Sequence, residues 1–213
     1  MAQKIAVIDY GMGNLRSVSK AVEHVAGDAE VRVTDDPRFI DGADRVVFPG
    51  QGAARDCMAA IGDHHLNQAV LRAAQNKPFL GICMGLQVLM RHSDENGGTA
   101  LLGLFAGEVR RFDGLAVGDN GLPLKIPHMG WSQVRQVGAH PLWRGIADQS
   151  RFYFVHSYRV VPEDVSLIAA TTDYGVRFTA AIARNNLFAT QFHPEKSAGA
   201  GLRLLENFVN WSI

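Results

Sequence analysis

Cys83 stands between Gly81 and Gly85 in the run Lys77-Pro78-Phe79-Leu80-Gly81-Ile82-Cys83-Met84-Gly85-Leu86-Gln87-Val88-Leu89-Met90. This is the G-x-nucleophile-x-G spacing of a strand-to-helix elbow, with cysteine in the serine's place. A nucleophile on so tight a turn is strained, and side chains two residues away on either side would crowd the neighbouring backbone, hence glycine at both positions. The positive end of a following helix lowers a thiol's pKa towards the reactive thiolate. Gln87 falls one helical turn beyond Cys83, on the same face. The plain alternative is a packing pair of glycines around a buried structural cysteine.

A cysteine nucleophile requires a base, a group that orients the base, and donors for the oxyanion. Eight histidines are available. His193, in Gln191-Phe192-His193-Pro194-Glu195-Lys196-Ser197, has a carboxylate two residues on, across a proline that fixes the turn, so Glu195 can hold one imidazole tautomer. His128 and His156 lie in aromatic, glycine-bearing segments and compete for the role, although structural histidines are commoner in such places. His64 and His65 fall on an expected helix surface, and His24, His92 and His140 have solvated contexts. Pro49-Gly50-Gln51-Gly52 follows an expected strand and would sit beside the elbow at the carboxyl edge of the sheet, where open α/β sheets bind ligands. Its glycines let backbone amides point into a site, and the amide after the nucleophile, on Met84, supplies a second donor. Read alone, that segment is a turn.

These groups need a scaffold. Ile5-Ala6-Val7-Ile8 and Val46-Val47-Phe48 are near-continuous apolar runs, as in strands covered on both faces, and Val31 and Val33 mark a half-exposed strand between them. Leu15, Val18, Val22 and Val25 recur at helical spacing, and Ala53 to Asn76 is helical with a break near Gly62-Asp63. This β-loop-α alternation predicts an open, mainly parallel central sheet with helices on both faces. After Arg91 the pattern changes. A glycine-rich stretch runs from His92 to about Met129, with strands expected over 132–137, 151–159, 166–170 and 176–191 and a closing helix over 199–211. The second half therefore reads as a smaller antiparallel β elaboration on one α/β domain spanning residues 1–213.

Composition narrows the function. Lysine plus arginine and aspartate plus glutamate both number 21, which speaks against a nucleic-acid binder or a protein of anionic membrane surfaces. Cys57 and Cys83 are the only cysteines, too few for a disulfide framework, and no apolar run approaches the roughly 20 residues that span a bilayer. A cytoplasmic protein is expected. No metal-ligand spacing is present, and Asp9-Tyr10-Gly11-Met12-Gly13-Asn14 lacks the continuation of a dinucleotide loop, so no metal or cofactor is expected.

Gly81-Ile82-Cys83-Met84-Gly85-Leu86-Gln87 together with Phe192-His193-Pro194-Glu195 resembles the class I (triad) glutamine amidotransferases, in which cysteine precedes His-x-Glu along the chain. The segments Asp9 to Leu15, Pro127-His128-Met129-Gly130-Trp131, Phe152 to Tyr158 and Gln191 to Ser197 are similar to one branch of that class, the glutaminase subunits of imidazole glycerol phosphate synthases of histidine biosynthesis. The likeness runs from about residue 4 to residue 211. It implies an L-glutamine substrate attacked by Cys83, with His193 as acid and base and Glu195 as its orienter. It further implies oxyanion amides at Gly52 and Met84 with Gly50 beside them, and glutamine held by Gln87, Ser157 and Tyr158. Ammonia would pass to a cyclase subunit in a heterodimer, docked on Asn14, Arg16, Met129, Trp131 and Lys196. The exposed Trp and Met of that face also fit a simple cover for the core. Ser132 departs from the branch's usual asparagine and touches on the partner contact, and Gln51 departs from a common valine in the oxyanion loop. Three readings compete: a glutaminase serving another synthase, an idle scaffold of the same fold, and a generic cysteine hydrolase, which glutamine specificity would exclude.

Overall fold

The structure is a computed structural model that describes residues 2–112, 121 and 123–213. Part of the glycine-rich stretch, residues 113–120 and 122, and Met1 lie outside the described residues.

In the first half β1 (Lys4–Ile8), β2 (Glu30–Thr34), β3 (Arg45–Gly50) and β4 (Phe79–Cys83) alternate with α1 (Leu15–Val25), α2 (Pro37–Gly42), α3 (Ala54–Asp63), α4 (Asn67–Asn76) and α5 (Met84–Gln87). The second half adds β5 (His92–Ser93), β6 (Thr99–Ala100), β7 (Gly107–Arg111), β8 (His128–Gln133), β9 (Arg135–Gln136), β10 (Arg151–His156), β11 (Tyr158–Pro162), β12 (Ile168–Tyr174), β13 (Val176–Arg184), β14 (Leu187–Thr190) and the closing helix α6 (Ala198–Val209). The central sheet has eight strands in the order β2-β1-β3-β4-β14-β13-β12-β9. Its junctions from β2 through β14 are parallel and those from β14 to β9 antiparallel. The expected fold class is met.

The apolar runs explain why the sheet is covered on both sides. Ala6, Ile8, Val46 and Phe48 face α2, α3 and α4 in one buried cluster with Ile40, Cys57, Ile61 and Val70. Their neighbours Ile5, Val7, Val47 and Leu80 face the other way, into a cluster with Val18 and Val22 of α1 and Leu204, Leu205 and Phe208 of α6. Alternation along a pleated strand sends successive side chains to opposite layers, so a continuous apolar run feeds two cores at once.

Three expectations are refined by long-range pairing. The run 151–159 is two strands separated at Ser157: β10 pairs only with β8, while β11 joins a four-stranded sheet ordered β11-β7-β5-β6. The run 176–191 is a hairpin that turns at Asn185, whose φ of 53 suits asparagine. The helix after the elbow is a single turn of four residues. The topology's main consequence is that β14 lies parallel to β4, with Thr190 opposite Ile82. Residues about 110 apart in sequence thereby emerge side by side at one edge of the sheet.

Candidate active site

Cys83 occupies the junction of β4 and α5 with φ 56 and ψ −107, a left-sided conformation that costs a residue with a side chain on the order of 1–3 kcal/mol. The two glycines are sterically required. A Cβ on Gly85 would lie 1.8 Å from the Phe48 carbonyl oxygen, and one on Gly81 would lie 2.7 Å from the Gly85 carbonyl oxygen. Because α5 is only four residues long, its macrodipole is small, and the expectation that a helix field activates the thiol is replaced by side-chain neighbours.

One such neighbour is His193, just past β14. Its backbone N–H donates to the Tyr153 carbonyl at 2.9 Å and its carbonyl accepts from Ser197 Oγ at 2.6 Å, while Ser197 Oγ accepts from the Tyr153 amide at 3.0 Å. These bonds tie the segment to β10. Pro194 then starts a short 3-10 turn, Pro194–Lys196, that brings Glu195 back under the ring. His193 Nδ1 lies 2.8 Å from Glu195 Oε1, with both side chains almost fully buried. Nε2 has no hydrogen bond of regular geometry among the described residues and faces the sulfur. Burial disfavours the imidazolium, yet the Cys83 sulfur and the Glu195 carboxylate outweigh it and raise the histidine to about 10. The histidine the sequence favours is thus the one brought to the thiol.

The rivals are held elsewhere in chemical terms. His128 Nδ1 and His156 Nε2 are 3.1 Å apart, and burial pushes these histidines down to about 4 and about 3. Neutral and bonded to each other, they are not proton donors to a leaving group. His140 also departs from its expected solvated context: it packs on Phe188 and Trp211, and burial lowers it to about 4.

An open cavity of about 670 Å³ holds Cys83 and His193 in its wall together with Gly52, Met84, Gln87, Ser157, Tyr158 and Lys196. Gly52, at φ 99, and Met84 both line the cavity that holds Cys83. Gly50 is not part of that wall; it pairs with Cys83 across β3 and β4 and is buried against Tyr10 and Met84. Ser157 and Tyr158 both reach the cavity with their carbonyls already engaged, the first by the Phe112 amide at 3.1 Å and the second by Gln87 Nε2 at 3.2 Å. Two residues were not singled out from the sequence. Glu95, in an irregular loop between β5 and β6, presents a carboxylate to the cavity while also accepting from the Ala54 amide at 2.6 Å. Gln191, fully buried beside the elbow, donates to Cys83 Sγ at 3.7 Å. Glu95 carried no periodic signal; Gln191 was visible only as part of the triad motif.

The cavity mouth adjoins an exposed patch. Met129 is 63% and Trp131 45% exposed on β8, and Trp131 meets Tyr153 edge-on at 6.1 Å. Lys196 lies 5.9 Å over the same Tyr153 ring and also lines the cavity. Asn14 is half-buried before α1, next to Gly13 of the cavity wall, and Arg16 is exposed on its first turn. Gln51 lines the cavity between the two loop glycines, and Ser132 donates or accepts at 2.9 Å with His128 Nε2.

The arrangement suits nucleophilic attack on a carbonyl. The Cys83 thiol and the His193 ring stand in one cavity with Gly52, Met84, the Glu95 carboxylate and Lys196 in its wall, and Glu195 lies behind the histidine. Among the described residues no group of three or more His, Cys, Asp or Glu could hold a metal ion, and no helix is long and apolar enough to cross a membrane.

Comparison with known proteins gives a consistent relationship. The profile described as glutamine amidotransferase class-I matches residues 6–211. The chain is 61% identical to the imidazole glycerol phosphate synthase subunit HisH of Dechloromonas aromatica, over 98% of this chain and 97% of that protein. It is 60% identical to the subunit of the same name from Thiobacillus denitrificans, over 100% of this chain and 93% of that protein. Among solved structures, PurLQS from Thermotoga maritima superposes with a TM-score of 0.74 at 18% identity, covering 99% of each chain. A putative GMP synthase subunit from Thermoplasma acidophilum gives 0.69 at 19% identity, covering 99% of this chain and 94% of that one. At such identities the structural likeness speaks for the fold.

Proposed function

The chain belongs to the class I glutamine amidotransferases, and we propose that it is the glutaminase subunit of an imidazole glycerol phosphate synthase. It hydrolyses L-glutamine to glutamate and ammonia and delivers the ammonia to a cyclase subunit, which forms imidazole glycerol phosphate and aminoimidazole carboxamide ribotide in histidine biosynthesis. The synthase is supported by near-full-length relatives at about 60% identity that carry that subunit's name. For the chemistry, the observation that carries the reading is Cys83 on its strained elbow facing a histidine whose Nδ1 is held 2.8 Å from Glu195.

The reaction follows from those positions. Cys83 attacks the side-chain amide carbon of glutamine, and the oxyanion is received by the amides of Gly52 and Met84. Gly50 behind them allows the approach that a side chain there would block. His193 protonates the departing ammonia, then deprotonates water to hydrolyse the thioester, with Glu195 keeping Nδ1 protonated. Gln87, Ser157 and Tyr158 hold the substrate's backbone end, and the Glu95 carboxylate in the same wall complements its ammonium group. The exposed Met129 and Trp131, with Lys196, Asn14 and Arg16, form the docking face for the cyclase, one to one. Residues 1–213 act as one domain, since Cys83 and His193 come from the two halves of a single sheet. Two free thiols suit a reducing, cytoplasmic setting.

Measuring glutamate release by the chain alone, and with the cyclase and its ribonucleotide ligand, tests the assignment. The expected result is a low basal rate stimulated by the complex. Turnover that is indifferent to the cyclase would mean that the glutaminase serves another synthase.

A further inference from the structure

The hydrogen bonds around the thiol have a direction that the backbone fixes. The Tyr158 carbonyl can only accept, and it receives Gln87 Nε2 at 3.2 Å and His156 Nδ1 at 2.8 Å. Gln87 must therefore present its NH2, which also donates to Gln191 Oε1 at 2.9 Å. Gln191 in turn is left with its NH2 towards Cys83 Sγ, 3.7 Å away. On the other arm, His156 uses Nδ1–H on the carbonyl, so its Nε2 accepts from His128 Nδ1–H at 3.1 Å, and His128 Nε2 accepts from the Ser132 hydroxyl at 2.9 Å. Both lone pairs of one carbonyl are thereby used, and neither Gln87 nor Gln191 can turn its amide over without setting two acceptors or two donors face to face.

We infer that Gln191 is a working part of the nucleophile, its amide NH2 locked by Gln87 and the Tyr158 carbonyl as a permanent hydrogen-bond donor to the Cys83 sulfur. A donor favours the thiolate over the thiol, so Gln191 acts on the sulfur alongside His193. Gln191 is 0% exposed, so its bond to sulfur is not competed by bulk water. This deepens the glutaminase reading and rests on Cys83 being its nucleophile. Gln87 acquires a second task, since its NH2 is spent within the protein and only its carbonyl oxygen remains for a ligand.

The test is the pH dependence of Cys83 alkylation by iodoacetamide in the full chain, read by mass spectrometry on the peptide containing Cys83. Cys57 is separated by its own peptide and by burial, which pushes its thiol up to about 11. The other titratable or charged groups around the sulfur are His193 with Glu195 behind it, Glu95, Lys196, Tyr158 and His156 in the cavity, and Tyr10 and Cys57 on the core side. None of them is changed by Gln191→Leu or Gln191→Glu. Both substitutions should move the alkylation midpoint upward, Gln191→Leu by about one pH unit and the isosteric Gln191→Glu by more, because a carboxylate repels the thiolate. Should Gln191→Leu fail to fold, Gln87→Leu frees the Gln191 amide to rotate and should shift the midpoint in the same direction by less. A midpoint unchanged in every folded variant overturns the inference. Iodoacetamide needs no glutamine, so loss of the glutaminase assignment would register separately, as failure to release glutamate with an unshifted or shifted thiol alike.

Discussion

Two buried histidine regions lie within one cavity's reach and end in opposite protonation states. Around His193, a carboxylate on one ring nitrogen and a sulfur facing the other raise the base to about 10. Around His128 and His156, the neighbours are a carbonyl, a hydroxyl and aromatic rings, including Tyr174 stacked on His128 at 3.9 Å, and the pair falls to about 4 and about 3. Burial opposes charge in both regions. The anionic partner decides, and the distinction separates a group that can transfer protons from one that can only orient a carbonyl.

Removing the anion from the first region should have the largest effect. Glu195→Gln keeps the shape but lets His193 adopt the wrong tautomer and lose its charge, so stimulated glutamate release should drop by about 10²–10⁴-fold, as tautomer loss does in comparable triads. A drop of less than tenfold would show that the carboxylate does not set the histidine's state. Adding an anion to the second region is the converse experiment. Ser132→Asp places a carboxylate against His128 Nε2, and the His128 titration followed by NMR should rise by about two units or more. No rise would mean that burial alone governs that pair.

The smallest effect is on pH stability. His128, His156 and His140 have native pKa values of about 4, 3 and 4, below their ordinary value near 6.5, so the unfolded chain binds protons that the native state refuses. Their contribution is complete above about pH 6.5 and is lost as pH falls towards 4. His193 has the opposite sign: its raised pKa contributes stability below about 6.5 that is lost as pH rises through about 10. Urea midpoints should fall modestly from pH 7 to pH 8, through His193, and be clearly lower at pH 4.5 than at pH 7.5, through the three depressed histidines. Equal midpoints at pH 4.5 and 7.5 would contradict the assignment of His128, His156 and His140 as neutral in the native state.

The first half of the molecule and the grouping of Cys83, His193 and Glu195 were legible because their signals are local. Apolar runs, helical spacing, the two glycines about Cys83 and the proline between His193 and Glu195 each work within a few residues. What escaped depends on pairing across the chain. Gln191 matters because β14 lies beside β4; the split at Ser157 exists because β10 and β11 join different sheets; and His140 is half-buried against Phe188 and Trp211, neither near it in sequence. The short α5 was hidden for another reason, as the apolar run to Met90 continues past the helix end into irregular backbone that is equally buried.

The central claim is that Cys83 only makes ammonia, and Cys83→Ala in the complex with the cyclase addresses it most directly. Glutamine-dependent ring formation should disappear, while the same complex supplied with ammonium salts should cyclise at the wild-type rate. Parallel loss of both activities would contradict the account and make Cys83 a structural residue.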